Sequence, residues 1–151
     1  MEPASFDGMP GNVLIVEDDP IIALAVAGEL EAAGHVVLGP AADTASAMAL
    51  VRQRRPDLAL VDIDLGEGGD GVGVAQMLRQ AGVPPVFASA ECTAARANCE
   101  TAIAWLAKPY APEAAVRSLE AITAWLKGQR AACPAELEWF GRLEDRRGPA
   151  H

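Results

Sequence analysis

Acidic, hydroxyl and ammonium side chains recur in this sequence immediately after short apolar runs. Glu17 and Asp18 follow the run 12–16, Asp62 follows 58–61 with Asp64 two residues on, Ser89 follows 86–88, and Lys108 follows 103–106, just before Pro109. Carboxylates brought into one pocket repel each other, and more strongly where water is scarce. A hard divalent cation relieves that conflict, and magnesium suits it because it takes oxygen ligands and is commonly held by one or two carboxylates plus a phosphate. Carboxylates, a hydroxyl and a lone amine are what a transferring phosphoryl group needs around its oxygens. A central aspartate could itself attack phosphorus and form an acyl phosphate. Taken singly, each piece has a plainer reading: Glu17-Asp18-Asp19 as acids loaded at a helix N-terminus, Asp62 as a cap, Lys108-Pro109 as a solvated loop. Their joint occurrence at successive strand ends favours a site.

Such residues meet only if the chain forms a parallel sheet, since in open α/β sheets ligands sit beyond the carboxyl ends of the strands. The pattern supports that architecture. Five short β-type runs alternate with helical periodicities, the signature of a doubly wound sheet with helices on both faces. The strands are expected at 12–16, 35–39, 58–61, 86–88 and 103–106. Asp19 offers an N-cap and Pro20 fits a first helical turn, after which Ile22, Val26 and Leu30 share a face and Gly34 closes the helix. Asp43 caps a second helix carrying Ala47, Leu50 and Val51, ended by Pro56. A third helix runs from about Val72 to Ala81 after a glycine-rich loop. The alanine-rich stretch 91–101 has no strong apolar stripe and predicts only a weak fourth helix. The last helix opens at Pro112-Glu113, lines up Ala115, Leu119, Ile122 and Leu126, and ends at Gly128.

Composition narrows the function class. A chain of 151 residues, 51% apolar and 22% charged, fits one domain with its own core. Twelve basic against 21 acidic residues give a net charge of −9, which disfavours direct DNA or RNA binding. No apolar stretch approaches the ~20 residues of a bilayer span, and residues 1–11 lack the features of a signal peptide, so a cytoplasmic location is expected. Cys92, Cys99 and Cys133 have no C-x-x-C spacing and read as reduced, unpaired thiols. The organisation expected is a flexible leader at 1–11, a domain at 12–128, and an extension at 129–151. Leu137, Trp139, Phe140 and Leu143 in that extension suggest one short helix.

The segments VLIVEDDP (13–20), RPDLALVDIDL (55–65), FASA (87–90) and WLAKPY (105–110) resemble, in order and spacing, the receiver domain of two-component response regulators. The resemblance covers about 12–128 and implies a flavodoxin-like (βα)5 fold. By that resemblance Asp62 is the phosphoacceptor, fed by a histidine of a sensor kinase or of a histidine phosphotransfer protein. Asp18 is a direct magnesium ligand, Glu17 one acting through water, and Asp64 a ligand through its backbone carbonyl. Ser89 is the switch hydroxyl, Lys108 the lysine that pairs with the phosphoryl group, and Trp105 the aromatic switch. Asp64 and Glu91 fall at positions that tune the lifetime of the acyl phosphate. The chain departs from the family pattern at Gly66, where proline is common, in a longer 66–70 loop, and in a shorter stretch between Ser89 and Lys108, so a short or distorted fourth helix is expected.

These features imply a stand-alone response regulator rather than a turnover enzyme. With only 23 residues beyond 128, output is expected through an unknown downstream protein or self-association as a homodimer. A phosphate sink or adaptor shares the same chemistry. A phosphatase of the haloacid dehalogenase type is suggested by Asp62-Ile63-Asp64 and a downstream lysine, but leaves Glu17-Asp18 without a role.

Overall fold

A computed structural model describes residues 11–66 and 69–140. The elements in chain order are β1 (Asn12–Val16), α1 (Pro20–Ala32), β2 (Val36–Ala41), α2 (Thr44–Gln53), β3 (Leu58–Asp62), α3 (Gly71–Gln80), β4 (Pro85–Ser89), α4 (Cys92–Ala97), β5 (Ala104–Ala107), α5 (Pro112–Leu126) and β6 (Leu137–Trp139). The sheet order is β2-β1-β3-β4-β5-β6. The first five strands are parallel, and β6 is antiparallel to β5. The α/β fold is therefore the flavodoxin-like one expected, with one strand more. Its strand order reverses between β1 and β3, so the crevice that holds chemistry opens beyond Val16 and Asp62.

Alternation along each strand divides the core between the two sheet faces. Val13, Ile15, Leu58, Leu60, Val86 and Ala88 pack with α1 and α5, while Leu14, Val16, Ala59 and Val61 pack with Ala47, Val74 and Leu78. Helix α1 buries Ala23, Val26 and Leu30; Ile22 is only partly covered, and Ile21 and Leu24 face outward. In α5 the expected stripe is in place, but the largest fully buried side chain is Trp125, which the stripe omitted.

Caps explain where the helices begin. The Asp19 carboxylate accepts the Ile21 and Ile22 amides, and Asp43 with Ser46 forms a reciprocal capping box at α2. Asp70, not foreseen as a cap, accepts the Gly73 amide and starts α3. Two glycines are imposed by space. A Cβ on Gly71 would overlap the Asp62 carbonyl, and Gly39 sits at φ +102° with a Cβ position 2.7 Å from the Ile15 carbonyl. At Gly39 the β1–β2 register shifts, and β2 resumes to pair Ala41 with Val16, so the strand ends at Ala41 rather than at residue 39.

One of these expectations holds and one changes. Helix α4 is short, six residues, as the shortened segment implied. The extension, however, forms no helix between 129 and 140. Leu137 and Trp139 alternate with Glu138, a period of two, and the segment after Pro134 satisfies the open edge of β5 as a strand. Residues 1–10, and Leu143 with the rest of 141–151, lie outside the described residues. Among the described residues no helix is long and apolar enough to cross a membrane.

Candidate functional site

The ends of β1 and β3 bring Glu17, Asp18 and Asp62 together, with one carboxylate oxygen from each lying within 4.8 Å of the others. Glu17 and Asp62 are buried, 6% and 3% exposed, whereas Asp18 faces solvent. The acidic run 17–19 is thereby divided: Asp19 caps α1, and its amide donates to Glu17 Oε2 at 3.2 Å. Lys108, delivered by the end of β5, reaches across the site. Its Nζ lies 3.0 Å from Glu17 Oε1 and 3.3 Å from Asp62 Oδ2.

Burial pushes the Glu17 carboxyl above the ordinary range; hydrogen bonds from Lys108 and the Asp19 amide oppose this, and the Asp62 charge adds to it. Burial works against the Lys108 charge, but Glu17 and Asp62 outweigh it and hold its pKa above normal. The lysine is thus a fixed cation between two buried carboxylates. Tyr110, which the sequence reading passed over, lines the inner wall beside Glu17 and Asp62. Its phenol is held protonated well beyond its usual range, first by burial and then by those two charges. The only local signal for it is an aromatic placed directly after Lys108-Pro109.

Each remaining candidate has a definite place. The Asp64 amide donates to Asp62 Oδ1 at 3.1 Å, while its own exposed carboxylate accepts the Gly66 amide at 3.4 Å. Ser89 is buried at the end of β4, one pair beyond the Asp62–Ala88 register. Its Oγ accepts the Glu91 amide at 2.9 Å. The Ser89 carbonyl accepts two donors, the Trp105 indole N–H at 2.9 Å and the Lys108 amide at 3.0 Å. Trp105 is 8% exposed, with the Arg96 guanidinium 5.6 Å from its ring centroid. Gly66, at φ +78°, leaves Asp18 room: a Cβ there would stand 2.6 Å from Asp18 Oδ2.

The donor set is all oxygen and carries more negative charge than one lysine balances, which fits magnesium and not a soft metal. Glu17 and Asp62 both face the lysine and both belong to the acidic group, so a phosphoryl group on Asp62 would meet one cation and one metal-binding edge.

Comparison with known proteins agrees with this geometry. The family model for the response regulator receiver domain matches residues 13–120. The transcriptional regulatory protein PdtaR of Mycobacterium tuberculosis is 30% identical over 151 residues, covering 93% of this chain and 73% of that protein. The phyllosphere-induced regulator PhyR of Methylorubrum extorquens is 36% identical over 84 residues, 54% of this chain and 32% of that protein. Among solved structures, the receiver domain of NtrX from Brucella abortus superimposes with a TM-score of 0.62 at 29% identity, covering 72% of this chain and 98% of that one. A response regulator from Chloroflexus aurantiacus gives 0.67 at 30% identity, covering 76% and 98%. A pocket of converging carboxylates closed by one lysine, on this sheet order and within this sequence match, makes the chain a member of the response regulator receiver domain family of two-component systems.

Proposed function

We propose that Asp62 is the phosphoacceptor of this receiver and that residues 12–128 form the unit that carries it. Receiver domains exchange phosphoryl groups with histidine kinases or phosphotransfer proteins and act in signalling rather than in turnover. In this chain a carboxylate oxygen of Asp62 attacks the phosphorus of a phosphohistidine, the P–N bond breaks, and the imidazole leaves with its electron pair. The observation that carries the reading is Lys108 Nζ set 3.3 Å from Asp62 Oδ2 beside the Glu17–Asp18 pair. Receiver domains bind Mg2+ at an acidic pocket; here Glu17, Asp18, Asp62 and the Asp64 carbonyl would hold it, and when bound it supplies positive charge against the phosphoryl oxygens.

The chain's own groups do the rest. Lys108 exchanges carboxylate partners for the new anion, which carries roughly −1.5 to −2 charges. The Ser89 hydroxyl turns from the Glu91 amide toward a phosphoryl oxygen. Trp105, bonded to the Ser89 carbonyl, transmits that movement to β5. Output then passes through protein contacts, to a downstream partner or a second copy, in the cytoplasm and without direct DNA contact; a phosphate sink differs only in lacking that partner.

The haloacid dehalogenase reading is weaker on geometry: the second carboxylate of the D-x-D, Asp64, turns to the Gly66 amide, while Glu17 and Asp18 complete the acidic group. Intact-mass analysis after incubation with acetyl phosphate and magnesium tests the proposal. One added phosphoryl group on wild type and none on Asp62→Ala is expected; no addition to wild type overturns it, and hydrolytic turnover of small phosphate esters would favour the phosphatase.

A further inference from the structure

Strand β5 pairs with β4 on one side, and its other edge would offer open backbone donors and acceptors. Residues 137–139 cover that edge, with Trp105 opposite Glu138 and Ala104 opposite Trp139. The Ala107 amide bonds the Glu136 carbonyl and the Phe140 amide bonds the Ile103 carbonyl, each at 3.1 Å. The side chains of this segment define what the edge accepts. Leu137 enters the core shared with α5, and Trp139 meets the Trp125 ring edge-on at 5.1 Å between centroids. On the opposite face Phe140 packs with the Phe87, Ala95 and Trp105 group. Glu138 is gripped by the guanidinium of Arg96, with Nη2 at 2.8 Å from Oε1 and Nε at 3.2 Å from Oε2, and that same guanidinium lies over Trp105.

This self-occupancy is short. The strand has three residues, and the ion pair that clamps it is open to solvent, its Arg96 and Glu138 side chains 59% and 39% exposed. We propose that the outer edge of β5, with Arg96 and Trp105, is a strand-docking site for an extended partner segment of apolar–acidic–aromatic pattern, which residues 137–140 fill in cis. The partner adds main-chain hydrogen bonds to β5, places a carboxylate on Arg96, and seats apolar residues on either face. The tether after α5 keeps the cis segment at an effective concentration on the order of mM, so it masks the site without closing it permanently.

The test uses the full chain and a fluorescent peptide with the sequence of 134–140, read by anisotropy without acetyl phosphate, so failure of the phosphoacceptor reading does not affect the result. Glu138→Arg sets like charge against Arg96 and frees the edge; it should bind the peptide at least tenfold more tightly than wild type, and a peptide carrying the Glu138→Arg change, with Glu136 kept, should lose that gain. If Glu138→Arg does not fold by circular dichroism, Glu138→Gln serves, with a gain in the same direction. Equal binding of the peptide by variant and wild type, no saturable binding by either, or equal binding of both peptides overturns the proposal.

Discussion

Replacing Lys108 by methionine keeps the apolar stem but removes the one charge that sits between Glu17 and Asp62. Those carboxylates are 5% and 4% exposed as side chains, so water cannot replace the ammonium. Removing one partner of a buried ion pair costs about 3–5 kcal/mol. The cost has a ceiling, because Glu17 can take up a proton instead of remaining an unpaired charge. Against its ordinary value of 4.5, protonation costs about 3.4 kcal/mol at pH 7 and about 1.4 kcal/mol at pH 5.5, from ~1.36 kcal/mol per pH unit. Lys108→Met should therefore lose about 3 kcal/mol at pH 7 and less than half of that at pH 5.5. The sign follows from linkage: without Lys108 the folded-state pKa of Glu17 rises further above its unfolded value. The variant's relative stability is then greatest below 4.5 and falls as pH climbs toward the folded pKa. Urea unfolding of both proteins at the two pH values, in the presence of a chelator, measures the difference, and magnesium should return part of the loss at pH 7. A loss as large at pH 5.5 as at pH 7 would refute the reasoning, since it would mean that the carboxylates are not what Lys108 stabilises.

Other consequences can be checked separately. Gly66→Ala forces a left-handed conformation costing about 1–2 kcal/mol and crowds Asp18 Oδ2, so magnesium affinity should fall severalfold in a calorimetric titration. Trp105→Phe removes the indole donor from the Ser89 carbonyl, which keeps the Lys108 amide; a loss near 1 kcal/mol in urea unfolding is expected, together with loss of any tryptophan emission change on phosphorylation. Asp64→Asn and Glu91→Gln should change the lifetime of the acyl phosphate, followed by intact mass over time, without preventing phosphorylation. Unchanged lifetimes in both variants would remove these two residues from that role.

How much was legible in advance depended on whether the deciding forces were local. The alternation of apolar strands with capped, periodic helices is local, so β1, α1, α2, β3 and α5 appear close to where their residues predict. The same locality placed Glu17, Asp18, Asp62, Ser89 and Lys108 at strand ends, and a parallel sheet has no other place to gather them. Gly39 misled the end of β2 because a bulge against Ile15 is a property of two strands and not of one. The tail misled for a related reason: a cluster of leucine and aromatics reads as a helix turn until the open edge of β5 is known to need a partner.

The order of residue types along the chain thus determined the (βα)5 scaffold and the identity of the acidic pocket, because hydrophobic period, caps and strand ends act over a few residues. Tertiary structure alone decided which charges meet. Lys108 finds Glu17 across 91 residues of sequence, and Tyr110 closes the inner wall. It also decided that Arg96 on α4 and Glu138 on β6 clamp a strand over Trp105. Charge pairing, edge pairing and burial depend on what lies within a few ångströms in space, and spacing along the chain carries no record of that.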